Sequence, residues 1–128
     1  MVRIAAFALL AVSFAGVASA AEPIDANWSE VAAARDGDCG ITVTGEGRFF
    51  RIAATGLAPG ERARLFLSNG DMKPLDWTIR ADRGGEFARY YLPFRWHRGG
   101  DTVAVALESE GCALFAAFDW RRAEVVVR

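Results

Sequence analysis

Residues 62–92 read RARLFLSNGDMKPLDWTIRADRGGEFARYYL. Three short runs in this stretch alternate apolar with polar residues, the two-residue period of a half-buried strand. Asn69-Gly70 and Gly84-Gly85 punctuate them as turns. The alternation sets Ala63, Leu65 and Leu67 toward a core and Arg62, Arg64 and Phe66 away from it. In the next run Trp77, Ile79 and Ala81 face inward, with Thr78 and Arg80 outside. The last run offers Ala88-Tyr90-Leu92 or Phe87-Arg89-Tyr91. The second choice would bury Arg89, so the first is expected inside. A two-residue loop at Arg83-Gly84 then pairs Ile79 with Ala88 and Trp77 with Tyr90, one consistent hairpin. A two-residue loop at Asn69-Gly70 would set Trp77 against Arg62, on the wrong face. Either a longer loop or a bulge is needed, and a bulge at Pro74 is the expectation.

The same texture extends in both directions. ITVT (41–44), FFRIAAT (49–55), TVAVALE (102–108) and ALFAAFDW (113–120) are further alternating runs between glycine turns, and EVVV (124–127) would be an eighth. Phe50, Ile52 and Ala54 share one side of their run, opposite Phe49 and Arg51. About seven short strands at regular spacing predict an all-β fold, an antiparallel sandwich. The arrangement, with the stretch GLAPGERARLFL, resembles the immunoglobulin-like and fibronectin-type sandwiches over residues 40–122. That resemblance implies a fold and little about activity, because such sandwiches host many functions.

Ahead of the strands lies MVRIAAFALLAVSFAGVASA, with Arg3 near its start, an apolar run and an Ala18-Ser19-Ala20 end. This is the layout of a cleaved signal peptide over 1–20, so export to the periplasm or medium is expected. Residues 21–38 form a polar lead-in that allows a short helix over 28–35, and residues 39–128 make one sandwich domain. Cys39 and Cys112 are an even pair in an exported chain and read as a disulfide. The closed loop of about 73 residues corresponds to about 4 kcal/mol of stability in the chain-entropy account.

Charge excludes one broad class of partner. The chain has 15 basic and 16 acidic residues; without Arg3 the count is fourteen against sixteen, a formal net charge of −2. Nothing global favours specific nucleic-acid binding. The mature serines are Ser29, Ser68 and Ser109, none in a nucleophile elbow, and His97 is the single histidine. The D-x-D of DGDCG (36–40) lacks the glycine and glutamate of a calcium loop, and no phosphate-cradling glycine motif occurs. No cofactor, metal or catalytic residue is therefore expected, and an enzyme built on His97 is the least favoured of three readings.

Two features attract attention as binding surfaces. If both hairpins of 62–92 share a sheet, its outside gathers Arg62, Arg64, Phe66, Thr78, Arg80, Phe87, Arg89 and Tyr91. Arginine forks and aromatic rings together suit a protein surface, an anionic glycan or a lipid head group. The 94–98 connection FRWHR either plugs the core with Phe94 and Trp96 or presents Trp96 and His97 to a ligand. The leading expectation is thus a non-enzymatic binding module of a cell envelope using the Arg/aromatic face. The alternative is a structural or accessory domain whose face is covered by the N-terminal segment or a second copy.

Overall fold

The computed structural model describes residues 26–94 and 97–122. The expected leader, the EVVV run, Arg95 and the candidate Trp96 lie outside the described residues. Eight strands follow in order: β1 (Ser29–Asp36), β2 (Cys39–Gly45), β3 (Phe50–Thr55), β4 (Arg62–Asn69), β5 (Leu75–Arg80), β6 (Phe87–Tyr91), β7 (Gly100–Ser109) and β8 (Cys112–Arg121). They form two four-stranded sheets, β1-β2-β3-β6 and β5-β4-β7-β8. Every pairing is antiparallel. Strands β2 and β3 are hairpin neighbours, whereas the constant-type immunoglobulin order puts its second and third strands in opposite sheets.

The two-residue period delivers the core. Ile41, Val43, Phe50 and Ile52 of one sheet meet Leu65, Leu67, Val103, Val105, Leu107 and Phe118 of the other, all buried. Phe50 packs on Phe118 with ring centroids 4.5 Å apart. Cys39 and Cys112 are joined, as expected, and tie the start of β2 in one sheet to the start of β8 in the other. Along the same flank Asp36 of β1 accepts the Ala113 amide of β8 at 3.1 Å. The turns 37–38, 56–61, 81–86 and 110–111 lie at this cystine end, and the other loops gather at the far end.

Four local expectations are corrected. Over its described residues the lead-in is a strand, not a helix: Ala32 and Ala34 take the core side of β1 opposite Val43 and Ile41. β1 extends the β2 sheet as an edge, so the described part of the lead-in does not cover the Arg62/Arg64/Arg80 face. The β4–β5 register is regular, pairing Leu65 with Trp77 and Arg62 with Arg80, so a longer loop replaces the bulge.

The third and fourth corrections concern β6. It pairs with β3, not β5, and thus belongs to the other sheet. The turn between them is real: Asp82 Oδ1 accepts the Gly84 and Glu86 amides at 2.9 Å. Gly85 has φ 73°, and a Cβ there would sit 2.0 Å from the Leu57 carbonyl oxygen. Past this tight turn the chain crosses between sheets. The β6 faces are also reversed: Phe87 and Tyr91 pack on the core, while Tyr90 and Leu92 are exposed. Arg89 shares the inward side because β6 is an edge strand. Its guanidinium leaves the core there and lies 3.9 Å from the Trp77 ring centroid, so the cation stays wet over an aromatic face.

Candidate binding groove at the far end of the sandwich

The crossing of β6 to the second sheet divides the expected Arg/aromatic face. Arg62, Arg64, Phe66, Thr78 and Arg80 remain together on the outside of the β5-β4-β7-β8 sheet. Phe87, Arg89 and Tyr91 stand on the other sheet, turned toward its inner side. Of the remaining arginines, Arg64 is spent on Asp76 through a two-point contact that includes Nε to Oδ1 at 3.3 Å. The hydrogen bond to Asp76 raises the Arg64 guanidinium, and the same bond holds the Asp76 carboxyl below its ordinary value. The register places Phe66 beside Ala106 and Ala106 beside Phe115, which is 66% exposed. Phe115, two strands from Phe66 with Ala106 between them, is the further aromatic on this face, contributed by a strand remote in sequence.

The larger concentration of exposed rings lies at the far end. There Trp28, ahead of β1, meets Tyr90 edge-on with centroids 6.0 Å apart. Together with Phe49, Phe50, Tyr91 and Leu92 they line a hollow of about 400 Å³. A second hollow of about 330 Å³ adjoins it, lined by Arg48, Phe49, Leu92, Phe94, Trp120, Arg121 and Arg122. Phe49 and Leu92 belong to both walls, so the two hollows form one groove. Tyr90 is 54% exposed, Leu92 55% and Phe49 46%, a contiguous apolar surface of the sort that folding alone does not demand.

The groove is firmly built. Its floor rests on Asn69, the one buried polar residue among those described. Asn69 Nδ2 donates to the Pro93 carbonyl at 2.8 Å, and its Oδ1 accepts the Trp120 indole N–H at 2.9 Å. Asn69 also bonds the Tyr91 phenol; burial raises that phenol above its ordinary value and the hydrogen bond opposes the rise. These bonds hold 91–94, the chain that carries Leu92 and Phe94 into the groove. One wall is the loop 46–49, where Glu46 Oε1 accepts the Arg48 and Phe49 amides at 3.2 and 3.1 Å. The loop is clamped to β8 by the Arg121 amide donating to Gly47 O at 2.9 Å. The Arg122 amide likewise bonds Gly99 O at 2.8 Å, and its guanidinium lies 5.5 Å from the Phe94 ring centroid.

Phe94 therefore does not plug the core, while Trp96 lies outside the described residues. Pro93 and Trp120 close that end, and Phe94 lines the groove. His97 is exposed in a shallower polar depression with Asp71, Met72, Phe94 and Arg98. Arg98 there bridges Asp71 at 3.4 Å and Asp101 at 3.3 Å. Among the described residues no group of three or more His, Cys, Asp or Glu could hold a metal ion. Alternation on β6 could have flagged Tyr90 and Leu92 had its sheet been known. Trp28, Phe49, Arg48, Arg121 and Arg122 carried no signal, because they meet only through the folded topology.

No protein-family model matches the chain, and no curated protein matches it. Among solved structures, a bromine derivative of the carbohydrate-binding module BhCBM56 is similar at 16% identity and a TM-score of 0.45. The likeness covers 70% of this chain and 98% of that one.

Proposed function

We propose that this chain is an exported, non-enzymatic binding module that holds a carbohydrate chain in the groove at the far end of the sandwich. The observation that carries this reading is the run of rings along two joined hollows, Trp28 half-buried and Tyr90, Phe49 and Phe94 exposed. The apolar C–H faces of a pyranose ring suit such walls, because the negative face of an aromatic ring attracts polarised C–H groups. An extended chain of sugars can pass Phe49 and Leu92 from one hollow to the next. The rigid support under 91–94 and 46–49 keeps the walls preformed, which lowers the ordering cost of binding. The export assignment rests on the 1–20 sequence and on a cystine that requires an oxidising compartment to persist.

The test is capture on a panel of immobilised polysaccharides, neutral and acidic, followed by affinity measurement for whatever is retained. Tyr90→Ala and Phe49→Ala are expected to weaken binding at least tenfold with little change in melting temperature, since both side chains are about half exposed and outside the core. Phe115→Ala, on the other sheet's outer face, is expected to change nothing. Absence of capture across the panel, or capture indifferent to Tyr90 and Phe49, would overturn the reading.

A further inference from the structure

Charge is distributed unevenly along the groove. The Trp28/Tyr90 hollow is lined by Trp28, Phe49, Phe50, Tyr90, Tyr91 and Leu92, with no charged side chain. The adjoining hollow carries Arg48, Arg121 and Arg122 and no acid. This is a local feature, since the chain as a whole has a formal net charge of −1. Glu46, in the 46–49 loop, is committed to its own loop: it accepts two backbone amides and one N–H of Arg48, with which it forms an ion pair. The Arg121 guanidinium has no partner among the described residues. The backbone of both Arg121 and Arg122 is pinned by hydrogen bonds to Gly47 and Gly99, so their side chains start from fixed points.

Resting on the reading of the groove as a glycan site, we infer that it selects an acidic sugar chain. A pyranose ring stacks in the Trp28/Tyr90 hollow and a neighbouring carboxylate meets Arg48, Arg121 and Arg122. Guanidinium forks pair with carboxylates through two parallel N–H···O bonds, and the apolar floor of Phe94, Leu92 and Trp120 strengthens such bonds by thinning the water around them. A neutral chain forms no such ion pair and gains only the stacking contacts. A sulfated chain offers the same oxyanion chemistry, and the experiment separates the two.

The purified chain, with its disulfide formed, is titrated calorimetrically against polygalacturonate, alginate and hyaluronan, each beside its carboxyl-reduced counterpart. Heparin and vesicles rich in phosphatidylglycerol are run in parallel. At low salt at least one carboxylated chain is expected to bind tenfold or more tighter than its reduced form. The margin is expected to shrink as salt rises, because exposed charge pairs are screened. Arg121→Gln with Arg122→Gln is expected to erase the margin while leaving binding to the reduced chain, whereas Arg62→Gln with Arg80→Gln leaves both intact. Equal binding to charged and reduced forms would overturn the inference and leave the glycan reading standing. A preference for heparin or vesicles over every carboxylated sugar also overturns it. No binding to any saccharide, charged or reduced, overturns the glycan reading together with the inference.

Discussion

A single buried amide organises the end of the molecule where the groove lies. Asn69 is 4% exposed, and it joins Tyr91 and Pro93 of one segment to Trp120 of another, both remote from it in the chain. Removing it would leave a buried indole N–H and a buried carbonyl without partners, each worth about 1–3 kcal/mol. Asn69→Leu is therefore expected to lower the unfolding free energy by about 3 kcal/mol in chemical denaturation. Affinity for the groove's ligand should fall as well, because the Pro93 bond that seats Leu92 and Phe94 is gone. A loss below about 0.5 kcal/mol would mean that water takes over both bonds. In the sequence Asn69-Gly70 reads as a turn, and it is one: the Met72 amide bonds Asn69 O at 3.0 Å and Gly70 has φ 54°. What the side chain of Asn69 would touch could not be read there, since all three partners arrive from distant segments.

At the scale of elements, most strands were legible, while β1 was read as a possible helix and the faces and partner of β6 were misread. Alternation located β2, β3, β4, β5, β7 and β8 and assigned the inward sides of β3, β4 and β5, because burial there leaves no tolerance for a slip of one residue. On β6 the assumption that arginine cannot take the inward side failed, since an edge allows Arg89 to escape over Trp77. Its strand partner was misjudged because a tight turn at 82–85 looks the same whether the strands beyond it pair or part. The loop between β2 and β3 carries a prediction of its own. Loss of solvation raises the Glu46 carboxyl, but hydrogen bonds from the Arg48 side chain and the Phe49 amide and the Arg48 charge outweigh it, leaving the group below its ordinary value. A carboxyl lowered on folding stabilises the fold above its unfolded value, and that contribution is lost as pH falls through the folded value. Melting temperature should therefore hold through neutral pH and decline below about pH 4.3. Glu46→Gln keeps the acceptor oxygen and removes the charge, so its decline is expected to be shallower by a small amount, as befits an exposed group. Parallel declines in the two proteins would mean that the loop does not depend on the carboxylate charge.

For the molecule as a whole, a sandwich of this size leans on what fastens its two sheets. The core interface runs from Phe50 on Phe118 to the cystine, and the loops bind the far end through Asn69. The Cys39–Cys112 bridge closes 73 residues of sequence and encloses β2 through β7, so its removal frees most of the unfolded chain at once. Both sulfurs are buried at the cystine end, opposite the groove. Cys39→Ala with Cys112→Ala is expected to cost about 4 kcal/mol by chain entropy, or roughly 20 °C in melting temperature for a domain of about 100 residues. If the double variant is still folded at 10 °C, its groove should bind as the parent does, because the supports of 46–49 and 91–94 do not pass through the cystine. Calorimetry on the variant at that temperature decides between two arrangements. Retained affinity with a lowered melting temperature means that the cystine secures the sandwich and the far end keeps its own shape. Affinity lost in step with stability means that the far-end walls depend on the packing at the opposite end.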